Sequence, residues 1–427
     1  REDKGEPLSQ TQMDGLELGH FDLVVVGAGM IGSAAAYHAT SILPPKSRIC
    51  LLGPEEPKSR DSDPSRSIFG AHYDEGRITR STDRDVVWAV LAQRSNRSLH
   101  NLQQNSGIRL INDNVGCLTV GSKEDAKFMS NMKASYEGQH LPVMAASWEN
   151  LKSKPSLKNF NFLPGSQCVY EFQRAGYINP RLVVRAHQQE AQKRGCTLVR
   201  QVVRKVEENP GDDSFRWKLT TDSGQILHAM KVLVATGAFT DFRKLLPCGA
   251  KPHIALKSQT VLFAEIPEED LPLYKDMPCI LNKDSLWRLC YMMPPIRYPD
   301  GKYYLKIGHG DQFEQDIRTE DQMRAWYQGE APRHHKEGLL KILLSIIPGL
   351  KPAAIHTDHC VTTRTPSRRP FIDLLRPSLG VALGGNGYGA KSCDEIGRLA
   401  VSLLLTGKWT DEELKQSDFK FVSAAKL

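Results

Sequence analysis

No apolar run in this chain approaches the ~18 residues needed to cross a bilayer as a helix, so no membrane span is expected. No CxxC pair occurs among the nine cysteines, which are Cys50, Cys117, Cys168, Cys196, Cys248, Cys279, Cys290, Cys360 and Cys393. An odd, unpatterned set in so long a chain reads as reduced thiols, not as a disulfide framework or zinc site, and no metal is expected. No charge dominates: 56 Lys and Arg stand against 49 Asp and Glu, for a net charge of +7. The basic residues are dispersed, without a run interleaved with aromatics. That argues against a nucleic-acid partner and leaves a mild bias toward anionic cofactors and substrates. There is no internal repeat. Arg1 to His20 has neither the apolar core of a signal peptide nor a regular period, and is expected to be a flexible lead-in.

What is present suffices for two or three domain-sized units, with 427 residues of which 40% are hydrophobic and 25% charged. Phe21-Asp22-Leu23-Val24-Val25-Val26 is a short β-branched run that predicts a buried parallel strand. Gly27-Ala28-Gly29-Met30-Ile31-Gly32 follows at once, Ser33 to Ser41 continues as an Ala-rich helix, and Arg48 to Leu52 supplies a second strand. A GxGxxG string at the strand-to-helix turn of a βαβ unit lets the backbone approach a pyrophosphate and offers it free N–H groups at a helix N-terminus. Gly27, Gly29, Met30, Ile31 and Gly32 are therefore candidate nucleotide contacts. An acidic residue normally ends the second strand to bind ribose hydroxyls, but here Gly53 follows Leu52. Glu55 or Glu56 in the turn is the substitute, with Glu55 as the candidate contact.

Downstream, Val86 to Asn105 has a helical pattern, and Pro180 opens another helix with Asn179 as N-cap. Strands are predicted over Leu118–Val120, Phe160–Phe172, Thr197–Val206, Arg216–Thr221 and Ile226–Val234, the last running into Ala235-Thr236-Gly237. Further strands are Thr260–Phe263, Cys290–Met293, Tyr303–Gly308 and Val381–Leu383, with helices over Arg333–Ile347 and Ser392–Leu405. The alternation predicts an α/β fold with a discontinuous Rossmann-like nucleotide domain (21–85, 175–245 and 355–415) and a β-sheet-rich, α+β substrate domain (86–174 and 246–354).

His359-Cys360-Val361-Thr362-Thr363-Arg364-Thr365-Pro366 and Gly385-Asn386-Gly387-Tyr388-Gly389-Ala390-Lys391 narrow the reading. With His72-Tyr73-Asp74-Glu75-Gly76-Arg77-Ile78-Thr79-Arg80, Tyr291-Met292-Met293-Pro294 and Leu305-Lys306-Ile307-Gly308-His309-Gly310, they resemble, in order, the motifs of the monomeric sarcosine oxidase and pipecolate oxidase family. That family of FAD-dependent amine oxidases lies within the D-amino-acid-oxidase-like superfamily, and the resemblance covers nearly the whole chain after Asp22.

The resemblance implies FAD, attached as a thioether through Cys360. The remaining cofactor contacts it implies are Arg77, Val203, Thr236, Gly237, Gly385, Gly387, Tyr388, Gly389 and Lys391. It implies that Arg80 and Lys391 clamp a substrate carboxylate, a role guanidinium forks suit. It also implies that Tyr291 lines the pocket and that Lys306 promotes the reaction with oxygen by favouring developing negative charge. Arg77, Lys306 and His309 are the catalytic candidates. Three positions depart from the family pattern: Gly76 replaces a Thr, Gly310 replaces the active-site His while His309 occupies the preceding Tyr position, and one residue is inserted after His72. Strand neighbours face opposite ways, so His309 reaches the flavin only if the register shifts.

The expected activity is oxidation of a carboxylate-bearing secondary or N-substituted amine to an imine, with hydrogen peroxide formed from molecular oxygen by a monomer. The alternatives are a dehydrogenase that passes electrons to a carrier, or a flavoprotein without turnover. Ala425-Lys426-Leu427 is a conservative variant of the Ser-Lys-Leu address, so a peroxisomal location is expected, with the cytoplasm as alternative.

Overall fold

The structure, a computed structural model, describes residues 16–57, 66–212, 214–247 and 249–424. Eight strands form one sheet. Its main path runs Val203–Glu208, Trp217–Thr221, Ile226–Val234, Glu17–Val26, Ile49–Leu52, Thr197–Val199. Glu17–Val26 is parallel to Ile226–Val234 and to Ile49–Leu52, as a βαβ unit requires. Leu379–Leu383 extends the parallel part from Ile226–Val234, and Phe371–Arg376 pairs with it antiparallel. Alternation explains the apolar run. Leu23 and Val25 join the core under the helices, while Val24 and Val26 join the core on the other face, where Trp217 and Leu219 cover them.

The helices Met30–Ile42, Pro180–Lys193, Val86–Ser106 and Gly389–Thr406 pack together on the Leu23 face. Asn179 caps its helix by accepting from Leu182 N, with Pro180 in the first turn, as its sequence predicts.

The second sheet has nine strands. Its path runs Asp316–Ile317, Ala255–Ile266, Tyr303–His309, Cys290–Arg297, Cys279–Lys283, Cys117–Gly121, Gln167–Glu171, Val143–Ser147, with Ile355–Arg364 laid along Ala255–Ile266. The helix Arg333–Ile346 buries Leu339, Ile342 and Leu343 against one face. A small sheet of Arg77–Thr79, Gly176–Ile178 and Ile111–Asn112 lies apart from both. The whole is α/β, a discontinuous Rossmann-like unit beside a β-rich α+β unit.

Several segments differ from expectation. The first strand begins at Glu17 inside the expected lead-in, because Glu17 to His20 find partners on Ile226 to His228. The span Thr197–Val206 is two strands on opposite edges of the sheet path. Only Gln167–Glu171 of the span Phe160–Phe172 is strand, and Phe160 and Phe162 are loop residues in the second core. Cys360 lies in mid-strand of Ile355–Arg364, which belongs to the nine-stranded sheet and not to the nucleotide sheet.

Candidate active site

The glycine loop closes as its spacing requires. A Cβ on Gly32 would lie 1.8 Å from Gly27 O, and one on Gly27 would lie 2.4 Å from Ala235 O, so both glycines are demanded by close backbone approach. At Gly29 the nearest obstacle is His72 Nδ1 at 3.9 Å, and no side chain caps the helix that starts at Met30. The loop therefore presents unsatisfied N–H groups to an open side, which is the arrangement an anionic phosphate seeks. Burial, then Arg181 and Arg77, push the His72 imidazole down to about 3, so it stands neutral over this opening. Gly53 is glycine because its Cβ would sit 2.6 Å from Ala28 N. Of the two turn carboxylates, Glu55 is exposed, whereas Glu56 is drawn in at 2.5 Å from Arg181 Nε. The inward residue is thus Glu56 and not the expected Glu55.

Lys306 points from the nine-stranded sheet into a buried polar cluster. Its Nζ donates to Asp74 Oδ2 at 2.6 Å and to Gly76 O at 2.5 Å, and Asp74 also accepts from Arg77 and, at 2.7 Å, from Tyr298 Oη. Burial alone would raise the Asp74 carboxyl, but Lys306 and Arg77 outweigh it and hold it well below the usual carboxylate range. Burial lowers the Lys306 ammonium, and Asp74 opposes that shift. Arg77 is further fixed by Ala71 O at 2.8 Å and Gly76 O at 2.9 Å. Tyr291 covers Gly308, where a Cβ would lie 2.3 Å from its ring, and it stands within electrostatic reach of Arg77 and Cys360. The structure thus brings Lys306, Arg77, Tyr291 and Cys360 together.

A second buried cluster forms around Asp83. Its Oδ2 lies 3.0 Å from Lys391 Nζ and 3.3 Å from Arg80 Nη2. Burial raises the Asp83 carboxyl, yet Lys391 and Arg80 bring it down to about 2; burial depresses Lys391 to about 8. Glu171 accepts from Ser81 N at 2.9 Å and Thr82 N at 2.8 Å. Lys391 sits in the first turn of Gly389–Thr406, at the positive end of the helix dipole, and its ammonium lies 5.5 Å from the centre of the Tyr388 ring.

Among the described residues eight cysteines are free thiols, and Cys360 alone of these is not fully buried. Trp326 Nε1 donates to Cys360 O at 3.0 Å. The loop after Leu383 is tied to the same strand by Gly385 N to Thr363 Oγ1 at 3.0 Å and Asn386 N to Thr363 O at 2.8 Å. Gly387 has φ 81°, and a Cβ on Gly389 would meet nothing within 4 Å. Gly237 borders a cleft of about 400 Å³ shared with Ala238, Phe242, His253 and Leu256, and none of Lys306, Arg80 or Lys391 lines it. Val203 is buried in the nucleotide-sheet core at the start of its strand, and Thr236 bonds Thr240 at 2.8 Å.

His309 is not brought to this site. Strand alternation turns it to the face opposite Lys306, where its Nε2 accepts from Thr260 N at 3.1 Å and its Nδ1 donates to Gly310 O at 2.7 Å. That tautomer is set by the two bonds, and the ring packs on Phe313 at 5.4 Å. A Cβ on Gly310 would lie 2.8 Å from Leu289 Cβ, so no side chain fits there, and one on Gly76 would lie 2.5 Å from Met293 Cε. Asp74, Asp83, Glu171 and Tyr298 are the residues that sequence reasoning passed over. Asp74 stood inside a quoted motif and Asp83 three residues after Arg80, but Glu171 and Tyr298 carry no sequence signal.

A family model described as FAD dependent oxidoreductase matches residues 22–403. The chain is 25% identical over 423 residues to the human peroxisomal sarcosine oxidase, covering 95% of this chain and 98% of that protein. It is 24% identical over 409 residues to a monomeric sarcosine oxidase from a Bacillus strain, covering 91% and 93%. Among solved structures, the fold is similar to NikD, an amino acid oxidase of nikkomycin biosynthesis (TM-score 0.72, 19% identity, 95% and 98% covered). It is also similar to fructosyl amine:oxygen oxidoreductase from Aspergillus fumigatus (TM-score 0.70, 18% identity, 97% and 90% covered). L-proline dehydrogenase from P. horikoshii shares the fold as well (TM-score 0.71, 16% identity, 95% and 97% covered). The open face at Gly29, the uncapped helix beyond it and the close contact between Gly53 and Ala28 fit a dinucleotide lying across the strand ends. With a glycine loop suited to that cofactor and a family match that runs through both sheets, the chain belongs to the FAD dependent oxidoreductases.

Proposed function

We propose that this chain oxidises a secondary or N-substituted amine at the C–H bond beside nitrogen, giving an imine and hydrogen peroxide. FAD, when bound, supplies the two-electron chemistry. A hydride leaves carbon and a proton leaves nitrogen as C=N forms, and two electrons and two protons end on oxygen as peroxide. The helices and the eight-stranded sheet would hold the FAD, and the nine-stranded sheet would carry Cys360 and the substrate side.

The observation that carries this reading is the fully buried Lys306, held by Asp74 and Gly76 beside Arg77, Tyr291 and Cys360. A fixed cation in a buried site favours the negative charge that develops as oxygen is reduced, without reorganisation. The names of the relatives, two sarcosine oxidases and a fructosyl amine oxidase, support the same chemistry. Tyr291 shapes the pocket over Gly308. His309 faces away, so no side-chain base is assigned and the amine is taken up in its uncharged form. Attachment of the flavin through Cys360 Sγ is part of the reading, supported by Cys360 being the one cysteine among the described residues that is not fully buried. In the variant of this reading with a sarcosine- or pipecolate-type substrate, Arg80 and Lys391 hold the carboxylate, and Asp83 competes for that place.

The L-proline dehydrogenase likeness favours a second reading, electron transfer to a carrier; oxygen consumption separates the two. A peroxisomal location is part of the reading, supported by the human relative's name; Ala425-Lys426-Leu427 lies outside the described residues. The test is anaerobic bleaching of the bound flavin by N-methyl, cyclic and glycated amines, followed by peroxide assay on admitting air. Bleaching by at least one amine with stoichiometric peroxide is expected, and a flavin that no amine reduces sinks the proposal. Yellow colour should stay with the acid-precipitated protein and move to the supernatant in Cys360→Ser.

A further inference from the structure

We propose that Asp83 is the chain's own occupant of the place between Arg80 and Lys391. The amine oxidised here therefore carries a neutral hydrogen-bond acceptor, a hydroxyl or carbonyl oxygen, where an amino acid would carry its carboxylate. This rests on the amine-oxidase reading above and names its substrate class.

One oxygen, Asp83 Oδ2, is shared by both cations at 3.0 and 3.3 Å. All the partners are buried: Arg80 is 9% exposed, Asp83 2%, Lys391 4% and Glu171 1%. Two cations face two carboxylates, since Glu171 is within electrostatic reach of both Arg80 and Lys391. Among these four groups the charges already balance, with Lys283 as a further cation in electrostatic reach of Arg80 and Asp83. A substrate carboxylate would bring a third negative charge beside Asp83 into a buried site, where like charges repel strongly and the lost hydration is not recovered.

Asp83 is also not free to swing aside. Asp85 N donates to its Oδ1 at 3.3 Å, and Asp85 in turn caps the helix Val86–Ser106 through Val87 N at 3.0 Å. Arg369 clamps Asp85 from the opposite side at 3.0 and 3.1 Å. Lys391, in the first turn of its helix, faces a dipole of the wrong sign, and the Asp83 carboxylate offsets both charges.

A donor remains. Arg80 Nη1 is buried and has no hydrogen-bond partner among the described residues. A buried guanidinium N–H left unmade is costly, and a neutral oxygen satisfies it without upsetting the charge balance. The site thus asks for an acceptor and refuses an anion.

Matched substrates test this in the holoenzyme: N-methylglycine against N-methylethanolamine and N-methylglycinamide, and pipecolate against its alcohol and amide. The alcohols or amides should bleach the flavin anaerobically at least about tenfold more efficiently than the acids, and Asp83→Asn should narrow or invert that ratio. The alcohol and amide arms tell hydroxyl from carbonyl. Wild-type preference for the acids overturns the proposal, as does an acid-to-amide ratio that Asp83→Asn leaves unmoved. Should Asp83→Asn fail to fold, the wild-type ratios decide. Binding of acetate against acetamide, read from the flavin spectrum, needs no turnover. Weaker acetate binding supports the assignment, and equal or tighter binding overturns it. Should no amine bleach the flavin, the amine-oxidase reading falls while this comparison still judges Asp83.

Discussion

Lys306 and Lys391 are both buried ammonium groups, and each is tolerated because one aspartate answers it: Asp74 at 2.6 Å and Asp83 at 3.0 Å. A buried cation without such a partner would shed its proton. The partners differ in what they leave open. Asp74 is shared with Arg77 and Tyr298, and in the proposed reading the Lys306 ammonium beside it acts on oxygen. Replacing Lys306 by Met removes that charge and leaves Arg77 and Tyr298 to hold Asp74. Flavin reduction by amine should change little, whereas reoxidation should slow by about 10²-fold, the usual size of such an electrostatic loss. Stopped-flow measurement of the two half-reactions checks this, and equal slowing of both would remove Lys306 from the oxygen step. The cations themselves were legible, since each sits in a motif. Their anions were not, because Asp83 and Lys391 meet across 308 positions of chain.

At the scale of elements, alternation and close packing decide what the departures from the family pattern mean. His309 follows Lys306 by an odd number of residues on an unbroken strand, so it must face the other way. Gly310 has no room for a side chain because Leu289 Cβ fills the space, whereas at Gly76 only the tips of Met293 and Ile296 stand in the way. Gly53 is the strongest case: the end of the Ile49–Leu52 strand presses on the backbone of the glycine loop, and backbone yields far less than a side-chain tip. Gly53→Asp, which restores the acid usual at that position, should lower stability by at least about 1–3 kcal/mol, the typical cost of overpacking, and weaken FAD binding. Urea unfolding and flavin titration measure the two losses; a stable, tighter-binding variant would show that the loop can move aside. The βαβ order, the Asn179 cap and most strands were readable because period and capping are local properties. The mid-strand position of Cys360 was not, since its partner strand lies about a hundred residues earlier, at Gln259.

Across the whole molecule, the two buried aspartate clusters tie separate parts together. Asp74 joins the loop before the Arg77–Thr79 strand to the nine-stranded sheet, and Asp83 joins the start of the Val86–Ser106 segment to the helix Gly389–Thr406. Both carboxyls are depressed in the folded state, Asp83 from 3.8 to about 2. Their stabilisation is therefore complete above the unfolded value and lost as pH falls through the folded one. For Asp83 that difference is worth on the order of 2 kcal/mol. Unfolding free energy should fall by at least about this amount between roughly pH 5 and pH 2, and the fall should be shallower in Asp83→Asn. Denaturant titrations at several pH values test it; an identical acid limb in the variant would mean that Asp83 does not titrate differently in the folded chain.

Local order along the chain was enough for the class of molecule. An apolar strand running into a glycine loop and a helix, and a short set of motifs in one order, specify an FAD dependent oxidoreductase, because backbone approach and helix-end geometry depend on residues close in sequence. The occupant of the space between Arg80 and Lys391 was decided only by folding. Asp83 reaches both cations because a loop, a helix cap and the helix Gly389–Thr406 converge, and no local rule says which of the chain's 49 acidic residues will be carried there. Charge balance in a buried site belongs to the assembled structure, and on that balance the proposed choice of substrate turns.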